Sequence, residues 1–342
     1  MSGKTNLGIG IVAAIGAVTG AALVAGSSKM ADEALNRNYT KVARKAFPSQ
    51  PCGLPPYIVE DEALRSRMEA TSIVVSERIR EWLEATDMER VTVSADSGRL
   101  RLVGCVYYAA RATRSWVILA HDYRSNRRSM EKYAEMYSQQ GFNVLSVDLR
   151  AHGESEGTSI GMGWMDGQDI LEWVGYLIGR FGADISIVLH GQSMGAAAMV
   201  NASAWSTYPQ VVAIVADSCP STIRQAVLNV MRNVLVLPAE PFYLCMRLGF
   251  MAHGGFDLNR ANPIETTTMS KTPTLFIHGA ADTVVPPSAG AELYDACAAS
   301  CKRLHVIPEA GHIAGFFIDP QNYESTVFEF LQRIGVVEYE TA

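Results

Sequence analysis

From residue 89 onward, short apolar runs alternate with longer stretches in which apolar residues recur at helical spacing. The apolar runs are unbroken and rich in β-branched residues, as expected for strands covered by helices on both faces. This alternation predicts an α/β fold with a mostly parallel, eight-stranded sheet and helices on both of its faces. The predicted strands are 90–95, 100–108, 116–120, 143–147, 185–190, 211–216, 274–278 and 303–307. The predicted helices are 129–140, 165–180, 193–206, 289–298 and 323–333.

Two regions depart from this regular pattern. The first two predicted strands are close in sequence around Ser97-Gly98, which favours an antiparallel hairpin. Between residues 220 and about 268, two apolar helical segments, Ile223–Leu237 and Phe242–Met251, stand where one connection would suffice. Active sites of open α/β sheets lie beyond the carboxyl ends of the strands. We therefore predict that this insertion is a small helical cap over the site, with some apolar side chains facing an apolar part of the substrate.

The first 88 residues have a different character. Leu7–Gly26 contains twenty residues without a charge, enough for a helix that spans a membrane, and predicts an N-terminal anchor within residues 1–30. A signal peptide cleaved near Ala25-Gly26-Ser27 is one alternative, and a buried helix is another. We expect a cell-membrane protein with an extracytoplasmic catalytic domain, or a secreted one after cleavage. Residues 31–88 are predicted to form a helical connector, in which Ser76–Thr86 is the clearest helix.

Composition and charge narrow the function classes. The chain has 342 residues, 48% of them hydrophobic, and a formal net charge of -6, so nothing indicates a nucleic-acid partner. The spacing of the six cysteines matches no zinc pattern, and no metal or cofactor is predicted. Cys297 and Cys301 are the most plausible disulfide pair, with buried free thiols as the alternative. The oligomeric state is left open.

The pentapeptide Gly191-Gln192-Ser193-Met194-Gly195 is the main candidate for chemistry. It lies between a predicted strand and a predicted helix, which is the context that gives the G-x-S-x-G motif its meaning. A sharp turn there exposes the serine hydroxyl and directs the first N–H groups of the helix at a reacting carbonyl. The two glycines permit the turn, because a Cβ at either position would crowd the strand and the helix.

A serine nucleophile needs a base to accept its proton and an acid to orient that base. Asp282 follows the strand predicted at 274–278, and His312 follows the last predicted strand. Because the carboxyl ends of parallel strands meet at one edge of the sheet, Ser193, Asp282 and His312 are expected to lie together there.

The chain resembles the α/β-hydrolase superfamily over about residues 89 to 335, and most resembles its capped serine esterase and peptidase-like branch. The order Ser, Asp, His is the order of that superfamily. The resemblance implies Ser193 as nucleophile, His312 as general base and acid, Asp282 as its partner, and an oxyanion hole formed by the backbone N–H groups of Met194 and Tyr123. It also implies structural roles for Arg150 and His152. The matching segments are AHDYRSN at 120–126, DLRAHGESEG at 148–157, GQSMG at 191–195, HGAADTVVP at 278–286 and EAGH at 309–312.

One residue departs from the family pattern. His121 is followed by Asp122 where the family usually has glycine, and a carboxylate close to a developing oxyanion would oppose it. Asp122 could point away, weaken the second oxyanion donor, or meet a positive group of the substrate.

The expected function is hydrolysis of an ester-like small molecule with an apolar portion, because nothing marks a peptide-binding subdomain. An acyltransferase using the same triad, or a non-catalytic binding protein on this scaffold, is the alternative.

Overall fold

The computed structural model describes residues 61–233 and 239–337. Three parts of the sequence prediction lie outside these residues: the anchor or signal segment at 1–30, the connector before residue 61, and Cys52. Within the described ranges, no helix combines the length and the apolar character needed to cross a lipid bilayer.

Eight strands form one sheet, as predicted. They are β1 (Met88–Ala95), β2 (Leu100–Tyr107), β3 (Ser115–Ala120), β4 (Asn143–Val147), β5 (Ser186–Gln192), β6 (Val211–Asp217), β7 (Thr274–Gly279) and β8 (Lys302–Ile307). Their order across the sheet is β1-β2-β4-β3-β5-β6-β7-β8. The β1–β2 and β2–β4 pairs are antiparallel and all the other pairs are parallel. The predicted hairpin is therefore present, and its turn places Ser97 and Gly98 at positive φ.

Helices cover both faces of the sheet because the parallel strands are apolar on both faces. Every residue of β4 and of β7 is buried. One apolar cluster contains Trp173 and the alanines of the helix after β5, and a second on the opposite face contains Trp82, Tyr133, Tyr323 and Phe330. The helices that cover the sheet are α1 (Glu62–Ala85), α2 (Glu131–Gln139), α3 (Trp164–Phe181), α4 (Met194–Trp205), α8 (Ser288–Ala296), α9 (Gly315–Ile318) and α10 (Pro320–Arg333).

The insertion after β6 is helical, as expected for a cap. It contains α5 (Ile223–Asn233), α6 (Ala239–Gly249), a π-helical turn at Phe250–Gly254, a 3-10 turn at Leu258–Arg260 and the short α7 (Pro263–Thr267). Met231, Met246 and Phe250 are buried and hold the insertion to the body. In contrast, Leu244 and Met251 are about half exposed.

Of the two alternatives left open for Cys297 and Cys301, the structure has the free thiols. The physical reason is that they face different sides of the sheet. Cys297 belongs to the apolar cluster that contains Trp173, whereas Cys301 packs against the cluster that contains Trp82. The alternative interpretation, in which these thiols act as small apolar side chains, describes the structure better.

Candidate active site

Ser193 occupies a strained turn between β5 and α4. Its backbone has φ 51° and ψ -111°, a region that residues other than glycine seldom adopt. The turn is held from both sides: the Ser193 N–H donates to the Asp217 carbonyl at 2.8 Å, and the Ser193 carbonyl accepts from the Ala197 N–H at 3.0 Å. These bonds offset the cost of a conformation that lifts the serine side chain clear of the sheet.

The two glycines of the pentapeptide are required by space. A Cβ on Gly191 would overlap the backbone of Gly195, and a Cβ on Gly195 would overlap the carbonyl groups of Ala120 and His121. The first turn of α4 therefore presses against the end of β3. This contact brings Met194, the first residue of the helix, close to the loop that contains Tyr123.

The three residues predicted to form a triad are joined by hydrogen bonds. His312 Nε2 lies 2.8 Å from Ser193 Oγ, and His312 Nδ1 lies 2.7 Å from Asp282 Oδ2. All three side chains are buried. Because Nδ1 faces a carboxylate, it carries the ring proton of the neutral imidazole, which leaves Nε2 as the acceptor for the serine proton.

The Asp282 carboxylate is itself held by its own loop and by β7. Its Oδ1 atom accepts from the N–H groups of Val284 and Val285, both at 2.9 Å. His278 Nε2 lies 3.5 Å from Oδ2 and 3.1 Å from the Val285 carbonyl. The orientation of Oδ2 towards His312 therefore depends on the backbone at 283–285.

His312 titrates under two opposing influences. Burial is the largest single influence and lowers its pKa, but the charge and hydrogen bond of Asp282 together with the charges of Asp122 and Asp217 outweigh it. The net result is a pKa above the ordinary value of the imidazole. His312 consequently stays protonated to a higher pH than a free histidine does.

His121 orients the loop that contains Tyr123. Its Nδ1 lies 2.7 Å from the Asp122 carbonyl, and its Nε2 accepts from the Leu149 N–H at 3.1 Å. Burial lowers the pKa of His121 to about 4, so the ring is neutral and Nδ1 is the donor. This bond fixes the trans peptide unit whose N–H belongs to Tyr123, and in a trans peptide the N–H points opposite to the carbonyl.

Asp122 lies near enough to the triad for its charge to act on His312. Its charge interacts with His312 and with the buried Lys132, and its side chain bonds to Ser125. Burial raises the pKa of Asp122, while these neighbours act in the opposite direction. Arg124, two residues further on, has a φ of 60°, whereas the φ of Asp122 is not positive. The backbone at this position therefore has no need of glycine.

Behind the serine, Asp217 is the centre of a buried network. Its Oδ1 accepts from the Ser218 hydroxyl at 2.9 Å, and that hydroxyl accepts from the Ile313 N–H at 3.2 Å. The network thereby reaches the residue after His312. The donors to Asp217 Oδ2 are Tyr133, Tyr323 and Gln192, at 3.2, 3.0 and 3.2 Å.

Arg150 and His152 lie in the structural loop after β4. Arg150 forms a buried two-point ion pair with Asp169, with both N···O distances 2.6 Å. His152 Nε2 accepts from the Arg124 N–H at 3.2 Å and so supports the loop next to Tyr123. Neither contact reaches Ser193 Oγ.

The sequence analysis named His121 only as the residue before Asp122 and did not single out Asp217. The available signal was the same one that identified Asp282: Asp217 ends β6 and His121 directly follows β3. Each lies at the edge of the sheet where the predicted triad lies.

The chain is similar in sequence to several known proteins and similar in fold to solved structures of hydrolases. The Bacillus subtilis protein YqkD is 25% identical over 229 residues, covering 67% of this chain and 74% of the relative. Escherichia coli YfhR is 27% identical over 204 residues, covering 58% and 63%. Both are described as uncharacterised. An esterase from Pyrococcus furiosus has the same fold, with a TM-score of 0.61 at 24% identity over 73% of this chain and 92% of the esterase.

The sequence profile of the serine aminopeptidase S33 family matches residues 111–243 and 258–316. These two segments make up more than half of the chain and contain Tyr123, Ser193, Asp282 and His312. The protein therefore belongs to the serine aminopeptidase S33 family of α/β hydrolases.

Proposed function

We propose that this protein is a serine hydrolase that cleaves an ester-like acyl bond through an acyl-enzyme on Ser193. The observation that carries the proposal is the unbroken chain of hydrogen bonds from Ser193 Oγ through His312 to Asp282, at 2.8 and 2.7 Å. A serine hydroxyl is a weak nucleophile without such a base, and the chain supplies both the base and its orienting acid.

In the first step, Ser193 Oγ attacks the carbonyl carbon of the ester while its proton moves to His312 Nε2. The N–H groups of Met194 and Tyr123 are the proposed donors to the resulting oxyanion. Collapse of this intermediate breaks the bond to the alcohol oxygen, which takes the proton from His312. The acyl group then remains on Ser193.

In the second step, His312 accepts a proton from a water molecule that attacks the acyl-enzyme. The protonated His312 returns that proton to Ser193 Oγ as the acid is released, which restores the starting state. We assign the apolar residues of the insertion that face the site to the acyl or alkyl part of the substrate.

The nucleophile can be tested with a fluorophosphonate probe, which labels activated serines. We expect labelling of the wild-type protein, loss of labelling in Ser193→Ala, and a fall in kcat/KM of roughly 10⁴-fold or more. Ser206→Ala, at the other end of α4, is the matched control and should be labelled like the wild type. Equal labelling of Ser193→Ala and the wild type would disprove the assignment.

An amidase is the second candidate, because the family is described as a serine aminopeptidase. The carboxylate of Asp122, whose charge acts on His312, would also complement the amino group of an aminoacyl substrate. Acyl-chain series of chromogenic esters and of aminoacyl amides distinguish the two activities. Adding a competing alcohol separates hydrolysis from acyl transfer, since a transferase forms the new ester faster than the free acid.

A further inference from the structure

We propose that Asn229, in the cap helix α5, is a positioning residue for Asp282 and links the cap to the triad. The inference rests on the proposed function of Ser193, Asp282 and His312. It concerns a residue of the insertion whose side-chain amide bonds to the backbone of the loop that follows Asp282.

The side-chain amide of Asn229 bonds to two consecutive carbonyl groups. Its Nδ2 atom donates to the Thr283 carbonyl at 2.6 Å and to the Val284 carbonyl at 3.0 Å. Both partners are acceptors only, so the amide nitrogen must face the loop and a flipped side chain would repel it. The cap thus contacts the loop that contains Asp282 through a donor pair of defined orientation.

These two carbonyl groups belong to the peptide units that hold Asp282. The Thr283 carbonyl shares its peptide plane with the Val284 N–H, and the Val284 carbonyl shares its plane with the Val285 N–H. Both N–H groups donate to Asp282 Oδ1 at 2.9 Å. A peptide group that accepts a hydrogen bond becomes a better donor, so Asn229 both orients and strengthens the two bonds to Asp282.

The position of α5 is therefore transmitted to His312. Asp282 Oδ1 is fixed through Asn229, and Oδ2 of the same carboxylate bonds to His312 Nδ1 at 2.7 Å. A displacement of α5 pulls on the loop at 283–285 and rotates the carboxylate. A substrate that holds α5 in this position would align His312 through Asn229 and Asp282. A substrate that displaces α5 would not.

A second contact of α5 with the body provides a matched control. Gln225 lies one helical turn before Asn229, and its Nε2 lies 3.2 and 3.3 Å from the carboxylate oxygens of Glu292 in α8. This contact also holds the cap but does not involve residues 282–285. Gln225→Ala therefore weakens cap attachment without touching the Asp282 loop.

The experiment compares full-length wild type, Asn229→Ala, Asn229→Leu and Gln225→Ala. Leucine keeps the approximate size of asparagine, carries no charge and has no donor. For both Asn229 variants we expect kcat to fall roughly 10- to 100-fold with little change in KM, because the base is misaligned rather than the substrate lost. We also expect the pKa of His312, followed by NMR of labelled histidine, to decrease as its bond to Asp282 loosens.

For Gln225→Ala we expect any change to appear in KM or thermal stability, with the His312 pKa kept. An unchanged His312 pKa in folded Asn229→Leu would overturn the inference, and so would the same shift in Gln225→Ala. The NMR titration needs no substrate, so it decides the inference even when the wild type fails to turn over esters or to react with the probe. That failure would count against the proposed function alone.

Discussion

Three acidic side chains raise the pKa of His312. Asp282 bonds to its Nδ1 atom, while Asp122 and Asp217 raise its pKa through their charges. Asp282 orients the ring, and Asp217 belongs to the buried network behind Ser193. Asp122 acts on His312 through its charge, so a neutral side chain at position 122 removes its effect separately.

Replacing Asp122 by asparagine should shift the acid limb of kcat/KM to lower pH. His312 must be neutral to accept the serine proton, so activity falls as the pH drops through its pKa. Asp122 raises that pKa, and removing its charge lowers it. The measurement is the pH profile of ester hydrolysis in the two proteins. An unchanged acid limb would show that the charge of Asp122 does not affect His312. Asp184→Asn, at an exposed position, is the control for the loss of one negative charge.

The strongest part of the sequence prediction was the placement of single residues after strands. Ser193, Asp282 and His312 each follow a strand, and their side chains lie within hydrogen-bond distance of one another. The role of Asn229 was out of reach, because its partners are backbone carbonyls more than fifty positions away. Backbone acceptors leave no pattern in a sequence.

At the scale of elements, strands were predicted to within a few residues because their apolar runs end abruptly at polar or glycine positions. Helix α1 lies in the connector that was predicted to be helical, and it extends further than its clearest part, Ser76–Thr86, because it begins at Glu62. Ile73 and Val74, in the middle of the helix, are exposed, which weakens the helical repeat of apolar positions. The Asp61 side chain caps the helix by accepting from the Leu64 N–H at 3.0 Å.

Helix α1 packs through Trp82 on the face of the sheet that also carries Tyr133 and Tyr323. The indole Nε1 donates to Ser138 Oγ at 3.0 Å, and the ring lies 5.0 Å from the ring of Tyr107. Trp82→Ala should lower the free energy of unfolding by about 3–5 kcal/mol, since it leaves a large cavity. Ile73→Ala, at an exposed position of the same helix, should change it by less than about 0.5 kcal/mol. Urea unfolding measures both, and equal effects would mean that α1 is not docked as described.

At the scale of the whole molecule, buried histidines and buried acids change the free energy of unfolding in opposite directions as the pH changes. Burial lowers the pKa values of His121, His152 and His190 to about 4, 3 and 3, so the folded chain keeps these rings neutral. Such groups reduce stability as the pH falls below the ordinary pKa of histidine, because the unfolded chain then binds more protons. Buried acids with raised pKa values act in the opposite direction, and Asp166 is the clearest of them.

Asp166 lies in the first turn of α3, where its Oδ2 atom accepts from the Gly163 N–H at 2.7 Å. Burial, followed by the charge of Asp169, raises its pKa to about 7. The ordinary aspartate pKa is about 3.9, so between these values the folded chain holds a proton that the unfolded chain has lost. The stability that this proton confers is present below the lower value and is lost as the pH rises through about 7.

Asp166→Asn should remove this pH dependence, because asparagine keeps an acceptor for the Gly163 N–H and carries no titrating proton. Relative to the variant, the wild type should lose at least about 1.4 kcal/mol of unfolding free energy between about pH 5.5 and about pH 8, the equivalent of one pKa unit. Urea unfolding of both proteins at the two pH values gives this difference directly. A constant difference would mean that Asp166 is ionised throughout this range, and that the first turn of α3 tolerates a buried carboxylate.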